Sequence, residues 1–182
     1  SSDLDAFDKI EIAGASSMDI EICKSKTGKN YVEYYDTDDW TSHVDVKDHV
    51  LKFTTDDKGK HKAIVSLGFG KDTAARLYLA DAEYKEIAVT TLSGYVTIQD
   101  VNAGTVNVSA SSGDIELESC DAEKFDITTS SGDVDMEITA GRTYRFETKT
   151  NSGAVDVPDG DADSDYLCKI VTSSGDVDVK QK

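Results

Sequence analysis

The segment TSSGDVDM at 129–136 returns as TSSGDVDV at 172–179. Three further copies of its centre are Leu92-Ser93-Gly94-Tyr95-Val96, Ser112-Gly113-Asp114-Ile115 and Ser152-Gly153-Ala154-Val155. From Gly94 through Gly113, Gly132 and Gly153 to Gly175 the spacings are 19, 19, 21 and 22 residues. A near-constant period of this size is the mark of a repeat architecture.

Aligned on that glycine, the side chains fall into columns. Ile87, Val106, Phe125, Phe146 and Cys168 stand seven residues before it, and Val89, Val108, Ile127, Thr148 and Ile170 five before. Val96, Ile115, Val134, Val155 and Val177 follow it by two residues, and Ile98, Leu117, Met136, Val157 and Val179 by four. Apolar columns alternate with polar ones, the period-2 pattern of strands that bury one face. Each unit therefore reads strand, Ser-Gly turn, strand, with glycine supplying a conformation that a side chain resists. One such unit cannot bury its apolar face alone, whereas stacked copies join each column into a continuous core. The expectation is an all-β chain, a β-solenoid of single-handed stacked rungs of about 19–22 residues, with the glycines equivalent in successive rungs. A β-sandwich is the alternative, since short strands at regular spacing suit it too.

Working outward, Phe7 to Ile22 has the same shape, with Ser17-Met18-Asp19-Ile20 where the turn would sit. Tyr31–Tyr35, His43–Val46, Val50–Phe53 and Ala63–Leu67 read as further short strands, with turns rich in Asp, Lys, Gly and Thr. Leu77-Tyr78-Leu79 lies in a stretch of helix-like composition, yet reads better as a strand leading into the repeats. No linker interrupts the chain, so residues 1–182 are expected to form one domain: an irregular N-terminal β region at 7–70 and a repeat region at 77–182.

These repeats resemble a bacterial family of putative adhesin domains of the DUF4097 type, whose members carry recurrent strand-Ser-Gly-Asp-Val-strand units. Leu77-Tyr78-Leu79 followed by Tyr84-Lys85-Glu86-Ile87 is similar to that family's lead-in, except that Ala80 stands where proline is common. The resemblance covers residues 64–182 well and 7–22 more loosely. It implies a β-solenoid-like fold and an extracytoplasmic, cell-surface or membrane-anchored domain, and it implies no reaction.

Composition narrows the partners. A net charge of −17 in 182 residues argues against nucleic acid and anionic membranes, both of which need a basic face. No apolar run approaches the roughly 18 residues of a membrane span, so a membrane is expected only through an anchor upstream of Ser1. Cys23, Cys120 and Cys168 are too few and scattered for a disulfide framework. They read as small buried hydrophobes, with one disulfide plus a free thiol as the alternative for an exported chain.

Candidate chemistry is sparse. His43, His49 and His61 lie outside the repeats, and no nucleophile elbow, HExxH, GxGxxG or P-loop accompanies them. Gly68-Phe69-Gly70-Lys71 is a turn rather than a phosphate cradle. Two carboxylate columns stand out: Asp114, Asp133 and Asp176 one residue after the glycine, and Glu116, Asp135, Asp156 and Asp178 three after it. Stacked at about 4.8 Å, the second column is a run of like charges on a solvated face. Tyr31, Tyr34, Tyr35 and Trp40, beside Asp36, Asp38 and Asp39, read as a cap over the open end of the core, with sugar stacking or a protein anchor as the alternative. The one candidate metal site is Asp159, Asp161, Asp163 and Asp165, alternate carboxylates of a kind that calcium uses in loops. It lacks the glycine and bidentate glutamate of an EF-hand, and the rival reading is a solvated connection between the fourth and fifth repeats.

The expected function is a non-catalytic extracytoplasmic binding or structural module, an adhesin-like surface domain with an unknown protein or glycan ligand. A sensory or regulatory ectodomain of a membrane-anchored envelope protein is the alternative. A carbohydrate-active enzyme is disfavoured because nothing in the sequence encloses an acid pair. No cofactor other than calcium is expected.

Overall fold

The computed structural model describes residues 2–4, 6–14, 18–34, 40–57, 74–80, 83–139 and 141–182. The first strands are β1 (Ser2–Asp3), β2 (Lys9–Ala13), β3 (Ile20–Lys24), β4 (Tyr31–Glu33), β5 (Trp40–Lys47), β6 (Val50–Asp57), β7 (Ala75–Leu79) and β8 (Glu83–Ser93). They are followed by β9 (Val96–Gln99), β10 (Asn102–Ser112), β11 (Ile115–Ser131), β12 (Val134–Ile138), β13 (Arg145–Lys149), β14 (Val155–Asp156), β15 (Leu167–Ser174) and β16 (Val177–Gln181). Leu77–Leu79 is strand, as its alternation predicts, and the described residues contain no helix.

The strands form two sheets around one core. One runs β5-β6-β2-β8-β10-β11-β15-β13, and the other β1-β4-β7-β3-β9-β11-β12-β16-β14. β11 serves both: Ile115–Glu118 pairs with β9, and Asp121–Ser131 pairs with β10. Each repeat contributes one strand to each sheet, with the Ser-Gly turn at the corner between them. Neighbouring repeats pair parallel and in register, so Val106 faces Ile87 and Phe125, and Ile115 faces Val96 and Val134. The sandwich alternative, which needs antiparallel hairpins between consecutive strands, does not describe this pairing.

Parallel, in-register stacking turns the sequence columns into the core. Ile87, Val106, Phe125 and Cys168 have no exposed surface, nor have Val96, Ile115 and Val134. Each fully buried Val or Ile contributes about 1.5–3 kcal/mol relative to an exposed one. A further inward column, Thr91, Ala110, Thr129 and Thr172, places small side chains near the corner where the sheets converge.

The glycines form a ladder of their own. All five have φ between +117° and +149°, where side chains are strained. A Cβ on Gly113 would lie 2.2 Å from the carbonyl oxygen of Gly94, and one on Gly132 2.2 Å from that of Gly113. Glycine is therefore required twice over, for conformation and for close approach of successive turns.

Rung order departs from chain order at both ends. A Cβ on Gly175 would meet Gly132, and one on Gly153 would meet Gly175. The fifth repeat thus lies between the third and the fourth, with β15 paired to both β11 and β13. The sequence supplies a reason. Cys168, Ile170, Val177 and Val179 suit a slot covered on both sides, whereas the fourth repeat has Thr148 in a core column and leaves Val155 42% exposed. At the other end, β2 and β3 form a regular rung between the β6–β7 rung and the first Ser-Gly repeat. Antiparallel β5 and β4 flank that end. Part of the region expected to be irregular is therefore regular stack.

Candidate functional site

The turn corner is the most regular polar feature. The carboxylate one residue after the glycine accepts a hydrogen bond from the backbone amide at the same position in the next rung. Asp114 Oδ1 accepts from Asp133 N at 2.9 Å, Asp133 Oδ1 from Asp176 N at 2.8 Å, and Asp176 Oδ1 from Ala154 N at 2.7 Å. Asp19, at the matching position of the β2–β3 rung, accepts from Tyr95 N at 2.9 Å. A short side chain at a sharp turn reaches its neighbour's amide, and an ionised acceptor strengthens the bond. These aspartates are exposed or half-exposed and bonded to backbone along the stack.

The second carboxylate column lies on the outer face of β11, β12, β16 and β14. Glu116 faces Asp135, Asp135 faces Asp178, and Asp178 faces Asp156, an order that follows the rungs rather than the chain. With Glu118, Glu137 and Lys180, the side chains of Glu116, Asp135 and Asp178 edge a shallow depression of about 240 Å³. Partial burial, then the Glu118 carboxylate beside it, holds the Glu116 carboxyl above its ordinary range. Asp135 is raised too, by burial first and then by Asp178 and Asp133, with Lys180 opposing. Lys180 Nζ lies 2.9 Å from Asp178, and Lys182 pairs with Glu137.

Other expected features are dispersed. His43 pairs with Asp56 at 3.1 Å on an exposed strand pair, and His49 occupies the β5–β6 turn with φ +64°. His61, Gly68–Lys71 and the expected strand Ala63–Leu67 lie outside the described residues. Cys120 and Cys168 are buried, and burial pushes each thiol up to about 12. Cys23 departs from expectation: it alternates outward between Ile22 and Lys24 and is half-buried. All three are free thiols, so no disulfide forms.

Asp159, Asp161, Asp163 and Asp165 are all exposed. Asp161 Oδ1 accepts from Asp163 N at 2.9 Å, and Asp161 N donates to the Tyr144 carbonyl at 2.9 Å. Among the described residues no three His, Cys, Asp or Glu side chains are grouped as a metal ion would require. The loop carries the chain back from the outermost rung to the slot beneath it. Gly160 lies so close that a Cβ would stand 2.6 Å from the Tyr144 carbonyl oxygen and 2.8 Å from the Phe146 ring.

Aromatic capping holds at one end in part. Tyr34 packs edge-on against Phe53 with ring centres 5.7 Å apart, whereas Tyr31 stacks on Tyr78 at 4.4 Å, both half-exposed. Tyr35, Asp36, Asp38 and Asp39 lie outside the described residues, and Trp40 opens β5. The opposite end has a cap that the sequence reading missed. Tyr144 is fully buried and donates to the Ala122 carbonyl at 2.7 Å. Phe125, Phe146 and Tyr166 surround its ring, and the Arg142 guanidinium covers Tyr166 while bonding Asp121 at 2.8 Å.

Comparison with known proteins places the chain in a family. The model of one family, described as Toastrack DUF4097, matches residues 7–182. The chain belongs to that family. Among solved structures, this Toastrack chain is similar to a putative cell adhesion protein from Clostridium sporogenes, with a TM-score of 0.65 at 18% identity over 97% of this chain and 94% of that one. A putative adhesin from Bacteroides fragilis aligns at 15% identity and TM-score 0.37, covering 98% and 94% of the two chains. A putative lipid binding protein from Parabacteroides distasonis aligns at 13% and 0.30, covering 96% and 95%. At these identities the first likeness shows the fold, and the other two carry no argument. No curated protein sequence matches the chain.

The outer surface of this Toastrack stack thus offers an acidic, ridged face and a turn edge. Its interior is filled by side chains. A small apolar space of about 10 Å³ beside Ile12, Val32, Leu51, Phe53 and Leu77 is about the size of one water and too apolar to hold it.

Proposed function

We propose that this Toastrack chain is a non-catalytic binding or structural module working outside the cytoplasm, in the manner of an adhesin-like surface domain. The observation that carries the reading is the distribution of polar chemistry. Side chains fill the interior, the aspartates beside the glycines bond the turns, and Glu116, Asp135, Asp178 and Asp156 form a ridged outer column. A stack of this kind acts by display, since parallel rungs hold outward side chains at a fixed repeat of about 4.8 Å. The fold likeness to a putative cell adhesion protein supports the same reading. Low-dielectric enclosure of a carboxylate, which acid–base hydrolysis requires, has no counterpart among the described residues.

The test is external accessibility combined with adhesion. In intact cells that produce the protein, added protease should cleave it without lysis, and beads coated with the chain should bind a cognate surface saturably. Protection from protease until the cells are lysed contradicts the reading, as does bead retention no greater than that of an unrelated acidic protein.

A further inference from the structure

The turn edge contains one rung that breaks its own pattern. Two residues before the glycine stand Ser111, Ser130, Ser173 and Asn151, but the first repeat has Leu92. One residue after the glycine stand Asp114, Asp133, Asp176 and Ala154, but the first repeat has Tyr95. Leu92 is 57% exposed and Tyr95 59%, so two large apolar side chains flank Gly94 in water. Folding does not ask for either. A tyrosine here offers no carboxylate to the amide of Asp114, so the ladder that Asp19, Asp114, Asp133 and Asp176 otherwise maintain is interrupted. Ala154 breaks the same column without consequence, because its rung is outermost; Tyr95 lies inside the stack.

An exposed aromatic and aliphatic pair that costs the fold a hydrogen bond is the composition of a binding anchor. Its surroundings select the occupant. Asp19 and Asp114 stand on the rungs either side, Asp133 on the next, and the chain carries a net charge of −17. A second copy would bring the same charge and be repelled, whereas a cationic segment is attracted. Within the binding-module reading given above, on which this rests, we propose that Leu92 and Tyr95 anchor a basic protein segment. An apolar side chain of the partner packs between them, and its Lys or Arg residues lie along Asp19, Asp114 and Asp133.

The probe is a synthetic peptide, acetyl-Lys-Lys-Trp-Lys-Lys-amide, titrated into the isotope-labelled chain by NMR and read independently by fluorescence anisotropy. The largest shift changes are expected at Leu92–Tyr95 and Asp114. The decisive variant is Leu92→Ser/Tyr95→Asp, which restores the residues of the other repeats. It should melt at least as high as the wild type, because the interrupted ladder is completed, and should bind the peptide at least tenfold more weakly despite being more acidic. Equal or tighter binding by the variant overturns the proposal, since charge alone then accounts for association. So does a lower melting temperature for the variant, which makes the pair structural. Shift changes centred elsewhere, or produced by neutral chitotetraose but not by the peptide, also overturn it while leaving the binding-module reading to its own cell-surface test.

Discussion

The third and fourth repeats differ by little in sequence and by much in environment. Ser131-Gly132-Asp133-Val134 lies inside the stack, with neighbours on both sides; Ser152-Gly153-Ala154-Val155 forms its outermost rung. Val134 has no exposed surface, whereas Val155, in the same column, is 42% exposed. Asp133 serves the amide of the rung beyond it, and among the described residues Ala154 has no rung beyond it to serve. A column position in such a stack is therefore set by whether something stacks on its far side. The glycine is required in both places, because each turn sits on the carbonyl of the rung beneath.

The largest test of that contrast is a charge in the apolar column. Val134→Asp should cost about 4 kcal/mol, an unpaired carboxylate in a dry core, and Val155→Asp less than about 1 kcal/mol. Urea midpoints at pH 7 compare them, and equal shifts would mean that the fourth repeat is not terminal. The turn carboxylates give a smaller difference. Asp133→Ala should cost about 1 kcal/mol by orphaning the Asp176 amide, whereas Ala154→Asp should change the midpoint by no more than a few tenths. A loss for Ala154→Asp equal to that for Asp133→Ala would break the ladder argument.

Much of this architecture is legible in the sequence. One-sided burial has a period of two, so the apolar columns, the turn glycines and the Leu77–Leu79 strand can be read directly. Rung order cannot be read the same way, because the pairing of β15 with β11 is non-local, although Thr148 and Ala154 already mark the fourth repeat as different. The bonding of the turn aspartates to backbone went unread. The available signal was that this position takes Asp and never Glu, as a short reach to a backbone amide demands. Cys23 could have been placed outward from the alternation Ile20, Ile22. The Tyr144 cap escaped notice because it falls in the longer spacing before Gly153, outside the aligned columns. No binding residue could be assigned by repeat conservation, since Leu92 and Tyr95 stand out as departures from it.

The acidic column supplies a pH-dependent difference. Asp135 has acidic neighbours on both sides and Asp156 on one. Because the folded-state pKa of Asp135 is raised above 3.8, its ionisation opposes folding. That cost is absent below about pH 4, where the group is protonated in both states, and appears as pH rises through the folded value. Asp135→Asn should therefore stabilise by up to about 0.5 kcal/mol at pH 7 and by nothing at pH 3. A gain that persists unchanged at pH 3 would remove the electrostatic explanation. The smallest effect belongs to the loop that joins the two compared repeats. Since no three carboxylates are grouped there among the described residues, millimolar calcium should release no heat from the wild type or from Asp161→Asn/Asp163→Asn. Heat from the wild type alone would make the loop a metal site.

The intercalated order of the last two rungs is read most directly through individual hydrogen bonds. Val134 N donates to the Asp176 carbonyl and Val177 N to the Ala154 carbonyl, both at 2.9 Å. Through-hydrogen-bond scalar couplings measured by NMR should connect the Val134 nitrogen to the Asp176 carbonyl carbon, and the Val177 nitrogen to that of Ala154. A coupling from Val134 to Ala154 instead would put the repeats in chain order and contradict the account.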